Sequence, residues 1–326
     1  MNTICKLADI DIYLLYFIDI KIVLSLTIIS KDQNILMFKQ KFVKELCILV
    51  QKHSYLYIIE YAAYFNYISL IIWIAESINK FKYSTYAINY AAENGNIEIL
   101  NWFDKLEYEF KYTEYAINYA AKNGEIDVLE WFANSKYEFK YSIYAINYAA
   151  ENGQIEVLDW FANSKYEFKY TYSAIDYAAK NGYISVLNWF ANSTYEFKYT
   201  TSAIDEAAKK GNIAILDWFA NSQYDFVYTE DAIDGAASRG CVDVLNWFNE
   251  SEYEFKYSTE AIENAIIYSQ YEVLKWFDKS KYEIKYREIK YIEKVMRKAL
   301  KDREIIKYLD ASNSRILKIM NQYKLK

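Results

Sequence analysis

The side chains that carry most enzyme chemistry are scarce in this sequence. Its 326 residues include one histidine, His53, and three cysteines, Cys5, Cys47 and Cys241. The cysteines lack the paired spacing of a metal site, and neither a glycine-rich phosphate loop nor a His-Glu-x-x-His motif occurs. Carboxylates such as Glu98 recur at a regular interval instead of converging on one place. We therefore expect no enzyme activity, no cofactor and no metal.

Aromatic side chains make up 19% of the sequence. Tyrosine alone accounts for 36 residues, and its ring is a frequent anchor in protein interfaces. The formal net charge of −6 and the pI near 5.2 disfavour contacts with the phosphate backbone of nucleic acids. We expect a protein partner and no nucleic acid.

The cysteine count and the N-terminal hydropathy bear on location. An odd number of cysteines without a paired framework is typical of a reducing compartment. Near the N-terminus the longest uncharged apolar runs cover residues 12–18 and 22–29, and both are far shorter than the roughly 20 residues of a spanning helix. We expect an intracellular protein with no targeting segment and no membrane span.

Tryptophan marks an internal repeat. It occurs eight times, and every interval is 29 residues. Self-similarity at such a period predicts a solenoid, in which each unit packs against its neighbours. The tryptophans are Trp73, Trp102, Trp131, Trp160, Trp189, Trp218, Trp247 and Trp276.

Each unit predicts a first helix with a small apolar face. The unit at 84–112 reads STYAINYAAENGNIEILNWFDKLEYEFKY, and Ala87, Ile88, Ala91 and Ala92 fall on one side of a helix. A Ser or Thr opens seven successive units, where its hydroxyl can accept a hydrogen bond from a free N–H group of the helix start. These predicted N-cap residues are Ser84, Thr113, Ser142, Thr171, Thr200, Thr229 and Ser258.

A second short helix follows a glycine. Gly95 is predicted to end the first helix in a left-handed conformation, and Ile97, Leu100 and Phe103 then give the spacing of another apolar face. Helices this short are marginal alone, so packing between units must stabilise them. We expect the tryptophans to be buried, so that Trp160→Ala costs about 3–5 kcal/mol.

The segment AINYAAENGNIEILNWF, residues 87–103, resembles the ankyrin repeat. The resemblance covers residues 55–286 as eight units and implies an all-α, ankyrin-like solenoid of helix-turn-helix repeats that binds protein. The period is 29 residues instead of the usual roughly 33, so the projecting fingers of the family should be shortened. The terminal units are atypical, with Asn66 and Ser269 in the place of the glycine, and residues 287–326 are expected to form a helical cap.

Divergent, tyrosine-rich arrays of this kind resemble those carried by large DNA viruses of amoebae. That resemblance implies a protein acting on host proteins in the host cytoplasm.

Residues 1–54 allow two interpretations. Their apolar order is similar to the F-box, a module that docks the adaptor subunit of a ubiquitin ligase, and the opposing interpretation is an N-terminal cap on the array. The residues that would dock the adaptor are Leu14, Leu15, Phe17, Ile18 and Leu24. The function is accordingly either recruitment of target proteins to a host ubiquitin ligase, or plain scaffolding by a monomeric ankyrin-like array.

The resemblance places partner binding on the first helices, at slots that vary while the frame repeats. One row changes from tyrosine to serine to acid along the chain, and a neighbouring row is charged. The predicted partner-binding residues are Tyr86, Tyr115, Tyr144, Ser173, Ser202 and Asp231 in the first row, with Glu93, Lys122, Glu151 and Lys180 in the second. A further column, Tyr90, Tyr119, Tyr148 and Tyr177, is expected either to pack between first helices or to add to recognition.

The recurring pentapeptide YEFKY, residues 137–141 in one copy, joins consecutive units. Its alternation predicts an extended segment with rings on one side and Glu138 and Lys140 on the other. We expect a structural role, so Phe139→Ala should lower stability before it affects binding.

Overall fold

The computed structural model describes residues 55–77, 81–106 and 108–285. Sixteen α-helices and no β-strand occupy this part of the chain, and consecutive helices pair as helix-turn-helix units. The expected all-α, ankyrin-like solenoid is confirmed. The helices are α1 Tyr55–Tyr64, α2 Ile68–Ser77, α3 Thr85–Glu93, α4 Ile97–Asp104, α5 Glu114–Asn123, α6 Ile126–Asn134, α7 Ile143–Glu151, α8 Ile155–Asn163, α9 Ser173–Asn181, α10 Ile184–Asn192, α11 Ser202–Lys209, α12 Ile213–Ala220, α13 Asp231–Arg239, α14 Val242–Glu250, α15 Glu260–Ile267 and α16 Tyr271–Lys279.

The chain divides into two compact units, and each is described by itself. The described residues of the first unit are 55–63, 67–77 and 81–84, and those of the second are 64–66, 85–106 and 108–285. In the first unit, Ile59, Ile71 and Ile74 are fully buried, and Ser84 donates a hydrogen bond to Glu60 at 2.5 Å. None of the helices described is long and apolar enough to cross a membrane.

In the second unit the helices form two rows. The odd-numbered helices α3 to α15, the first helices, each pack against the next first helix, and every one also contacts its own even-numbered second helix. Ala87, Ile88, Ala91 and Ala92 are fully buried, and the equivalent alanines recur in each unit. Because alanine has a small side chain, adjacent first helices approach closely along this row.

Six opening hydroxyls, from Thr113 to Ser258, accept a hydrogen bond from an N–H group of the helix start, and two of these residues are the predicted N-caps. Thr113 Oγ1 accepts the Tyr115 N–H at 3.4 Å, and the hydroxyls of the following units accept the N–H two residues on at 3.0–3.4 Å. Thr113 and Ser142 are the N-caps of α5 and α7. In α9, α11, α13 and α15 the helix begins one residue later, so the hydroxyl lies just before the cap and still satisfies a free N–H group.

The stop after each first helix needs a left-handed residue. Gly124 has φ of +82°, and the glycines of the other complete units have φ between +70° and +82°. In the atypical end units, Asn66 and Ser269 occupy the same slot with φ of +58°, a conformation that is costly for residues with a Cβ atom. The glycine prediction is therefore confirmed, and the two exceptions carry backbone strain.

A buried polar side chain links each first helix from α3 to α13 to the next repeat. Asn89 donates through Nδ2 to Thr113 Oγ1 at 2.8 Å and accepts the Thr113 N–H at 3.1 Å. In α9 an aspartate does the same work, because Asp176 accepts both the Thr200 N–H at 2.8 Å and its hydroxyl at 2.6 Å. The slot contains Asn89, Asn118, Asn147, Asp176, Asp205, Asp234 and Glu263, all buried. This role was not predicted from the sequence.

The expectation that the tryptophans are buried core residues is wrong. Trp160 and its equivalents are only partly buried, whereas the next residue, Phe161, is 1% exposed. The Trp160 indole lies at the surface, where Nε1 donates to Glu130 Oε1 at 2.5 Å and the ring stacks on Phe139 with centroids 5.5 Å apart. The phenylalanines form the core, and the tryptophans join neighbouring second helices.

The aromatic rings of successive YEFKY connections stack on one another, although Tyr108 in the first copy is 53% exposed. Phe139 stacks on Tyr166 of the next connection at a centroid distance of 4.0 Å, while Glu138 and Lys140 are exposed. The Tyr141 hydroxyl donates to the Glu167 carbonyl oxygen at 2.7 Å, and this bond recurs between connections. The segment is not a regular strand, since the Lys140 N–H donates to the Glu138 carbonyl and tightens the chain at Phe139.

Candidate protein-binding surface

The predicted first row lies at the start of the first helices. Tyr86, Tyr115 and Tyr144 are 52%, 51% and 47% exposed. Each lies in the first turn of its helix. Farther along, Ser173 is half-exposed, and Ser202 and Asp231 are exposed. The row is accessible over its whole length, and its chemistry changes from aromatic to polar to acidic.

The neighbouring tyrosine column joins this row. Tyr115 contacts Tyr119 at 5.7 Å between ring centroids, Tyr119 contacts Tyr148 at 5.8 Å, and Tyr148 contacts Tyr144 at 5.3 Å. We call Tyr115, Tyr119, Tyr144 and Tyr148 the tyrosine patch. The column therefore packs between first helices and extends the exposed row, so the two interpretations of the sequence are compatible.

The phenol groups of the patch share one environment. Burial raises the pKa of Tyr148, and the nearby hydroxyls of Tyr119 and Tyr144 and the carboxylate of Glu151 add to the rise. The Tyr148 hydroxyl therefore stays a neutral hydrogen-bond donor at physiological pH. A partner would meet large, stiff rings that each carry a polar edge.

The second predicted row flanks the patch with charges. Glu93, Lys122, Glu151 and Lys180 are all half-exposed and alternate in sign along the helices. Lys122 Nζ lies 5.4 Å from the centre of the Tyr119 ring, a cation–π contact. Burial raises the pKa of Glu93, and the Lys122 charge opposes that rise. This row frames the patch and has no large net charge.

Beyond Tyr177 the column turns from aromatic to charged. Glu206 takes the tyrosine position in α11 and forms ion pairs with Lys180 at 3.0 Å and Lys209 at 3.3 Å. Burial opposes the charge on Glu206, but the hydrogen bonds and charges of the two lysines outweigh it and lower its pKa. Sequence reasoning missed this network, although the switch from tyrosine to glutamate between two lysine slots was its signal.

Among the residues that the structure describes, neither a metal site nor a reactive thiol competes with this surface. No three His, Cys, Asp or Glu residues of this part of the chain lie close enough to share a metal ion. Cys241 is half-buried beside the Lys209 carbonyl oxygen, and burial raises its thiol pKa, which keeps the sulfur protonated and a poor nucleophile. The predicted adaptor-docking residues, such as Leu14 and Phe17, lie outside the described residues.

Comparison with known families agrees with this architecture. A family model for ankyrin repeats, in three copies, matches residues 117–202. The matched segment contains three of the four rings of the tyrosine patch, Tyr119, Tyr144 and Tyr148. No curated protein matches the chain. Ankyrin repeats are typically protein–protein interaction modules without enzymatic activity.

Proposed function

We propose that this protein is a non-enzymatic binding module that recognises a protein partner through the tyrosine patch and the charged row beside it. The observation that carries the proposal is the exposure of Tyr115 and Tyr144 in slots where later units have serine or acid on an unchanged frame. Since packing does not require tyrosine there, the rings are available for recognition. Clustered tyrosines are frequent energetic anchors in protein interfaces.

The test replaces the anchors with residues that the chain itself uses. Tyr115→Ser with Tyr144→Ser copies the serines of α9 and α11, so the fold should be preserved. Partners captured by affinity purification with the wild-type chain are identified by mass spectrometry, purified, and their dissociation constants measured. We expect at least a tenfold loss for the double variant. Tyr271→Ser, which removes an exposed tyrosine from second helix α16, is the matched control and should bind normally.

Equal affinity of the double variant and the wild type for every captured partner, with an unchanged fold by circular dichroism, would contradict the proposal.

A narrower form of this function is recruitment to a ubiquitin ligase. The similarity of the apolar residues in segment 1–54 to an F-box supports it, and the first helices would then hold the protein to be modified. Deletion of residues 1–45 should abolish co-purification of the ligase adaptor and leave partner binding intact. If the adaptor fails to bind the full chain at micromolar concentration, plain scaffolding is the function.

The resemblance to arrays of amoebal viruses favours a partner from the host cytoplasm. In infected cells, the captured proteins should then be host proteins. If all captured proteins were viral, a partner from the host cytoplasm would be excluded.

A further inference from the structure

A second set of surface features lies between the second helices, away from the residues of the tyrosine patch. Two grooves recur there with the repeat, one beside α6 of about 590 Å³ and one beside α8 of about 740 Å³. Both are lined by Glu130 and Asn134, so they adjoin across α6. Each has an indole wall, from Trp131 and Trp160 respectively.

These adjoining grooves carry an excess of negative charge. Two lysines line them, Lys136 and Lys165, and Lys136 is already paired with Asp104 at 3.0 Å. Five carboxylates line the same surface, namely Asp104, Asp127, Glu130, Glu156 and Asp159.

The carboxylates are held in place by the repeat. Glu130 and Asp159 each accept an indole N–H from the following unit, at 2.5 Å from Trp160 and 2.6 Å from Trp189. One oxygen of Asp159 is thereby fixed at the groove wall, and the second oxygen of Glu130 also accepts from Asn134 Nδ2 at 3.3 Å. These bonds orient both carboxylates before any ligand arrives. A fixed anionic group binds a cation with less loss of conformational entropy than a mobile one.

The chain contains an internal reference for this surface. A third groove of about 520 Å³, beside α12, has Asn188 and Ala214 where the groove beside α8 has Glu130 and Glu156. The indole wall is retained there by Trp218, whose Nε1 donates to Asn188 Oδ1 at 2.7 Å. The carboxylates of Glu130 and Glu156 are therefore not needed to build the groove, since an amide also accepts the indole N–H there, although Asp217 is retained at the position of Asp159.

The geometry points to an extended basic polypeptide segment as the occupant of the two acidic grooves, with lysine or arginine at every third residue. Packed helices lie about 8–10 Å apart, and three extended residues span about 10 Å, so one cation meets each successive groove. The positive side chains complement the surplus carboxylates, and their aliphatic stems cover the indole walls.

Fluorescence anisotropy of the full chain with two labelled peptides tests this inference. One peptide repeats Arg-Ser-Ser four times, and the other has the same composition with its four arginines contiguous. We expect the first to bind at least fivefold more tightly than the second. The Glu130→Asn, Glu156→Ala double variant, which copies the groove beside α12, should lose at least fivefold in affinity for the first peptide.

Glu138→Gln with Glu167→Gln removes the same number of charges from exposed connections and should bind as the wild type does. Equal binding of the two peptides, undiminished binding by the groove variant, or no binding by the wild type would overturn the inference. The Tyr115→Ser, Tyr144→Ser variant should retain peptide binding. The experiment therefore distinguishes a failure of the groove inference from a failure of the proposed function of the tyrosine patch.

Discussion

At the scale of single residues, the left-handed slot after each first helix shows how local conformation limits the sequence. Six units have glycine there, and the Cβ of any other residue would be strained at a φ near +80°. The position was predictable because the requirement is local and needs no knowledge of packing.

Ser269→Gly should therefore stabilise the protein by about 0.5–1 kcal/mol, because it relieves the strain at φ of +58° and outweighs the added flexibility of the unfolded chain. Urea unfolding followed by circular dichroism measures the change. Gly211→Ala is the reciprocal control and should destabilise, since the glycine has φ of +78° and a new Cβ would lie 3.3 Å from Cys241 Sγ. A less stable Ser269→Gly variant would refute this account of the slot.

The buried polar slot gives a pH-dependent prediction. Burial raises the pKa of Asp176, Asp205 and Asp234, although hydrogen bonds from the next unit oppose the rise. A raised pKa means that the folded state favours the protonated carboxyl. The resulting stabilisation is fully present below the unfolded pKa of about 3.9 and is lost as the pH rises through the folded value.

Replacing all three aspartates with asparagine, as in α3, α5 and α7, removes this titration. The stability of the variant relative to the wild type should therefore increase as the pH is raised from about 4 to 7. Denaturant unfolding at several pH values measures it, and a triple Asn variant of the exposed Asp127, Asp225 and Asp243 controls for lost charge. If the stability of the triple Asn variant relative to the wild type fell with rising pH, the raised pKa of the three aspartates would be contradicted.

At the scale of the elements, the phenylalanines separate core from surface packing. Phe161→Ala should cost about 3–5 kcal/mol because the ring is fully buried in the helix pair, and Phe139→Ala should cost about 2 kcal/mol because its ring lies half-exposed in the aromatic stack. Equilibrium unfolding compares the two variants. A larger loss for Phe139→Ala would mean that the connections, and not the helix pairs, hold the array together.

The helices themselves could be predicted from the sequence because periodicity, capping residues and glycine stops are local signals. The burial of tryptophan could not, since Trp102 and Phe103 are adjacent and the apolar pattern alone does not decide which one faces the core. Nor could the link from Asn89 to Thr113, because it joins residues 24 apart whose proximity depends on how one unit stacks on the next.

At the scale of the whole molecule, repetition separates the frame from the slots that are free to vary. The rows of variable first-helix residues were found by comparing units within the chain, and the structure places the tyrosines of the first row at the surface. The packing of this row against the neighbouring tyrosine column was not predictable, because the contact between Tyr119 and Tyr148 crosses from one repeat to the next. The acidic grooves were missed because their carboxylates look like an ordinary solvated face when taken one at a time.

Hydroxyl-radical footprinting of the chain with and without its captured partner tests the central claim most directly. Binding through the tyrosine patch predicts that oxidation of Tyr115 and Tyr144 falls at least threefold in the complex, while the exposed Tyr108 and Tyr271, which lie outside the first helices, are oxidised as before. Unchanged oxidation of Tyr115 and Tyr144 in a complex that forms stoichiometrically would show that the partner binds elsewhere and would contradict the account.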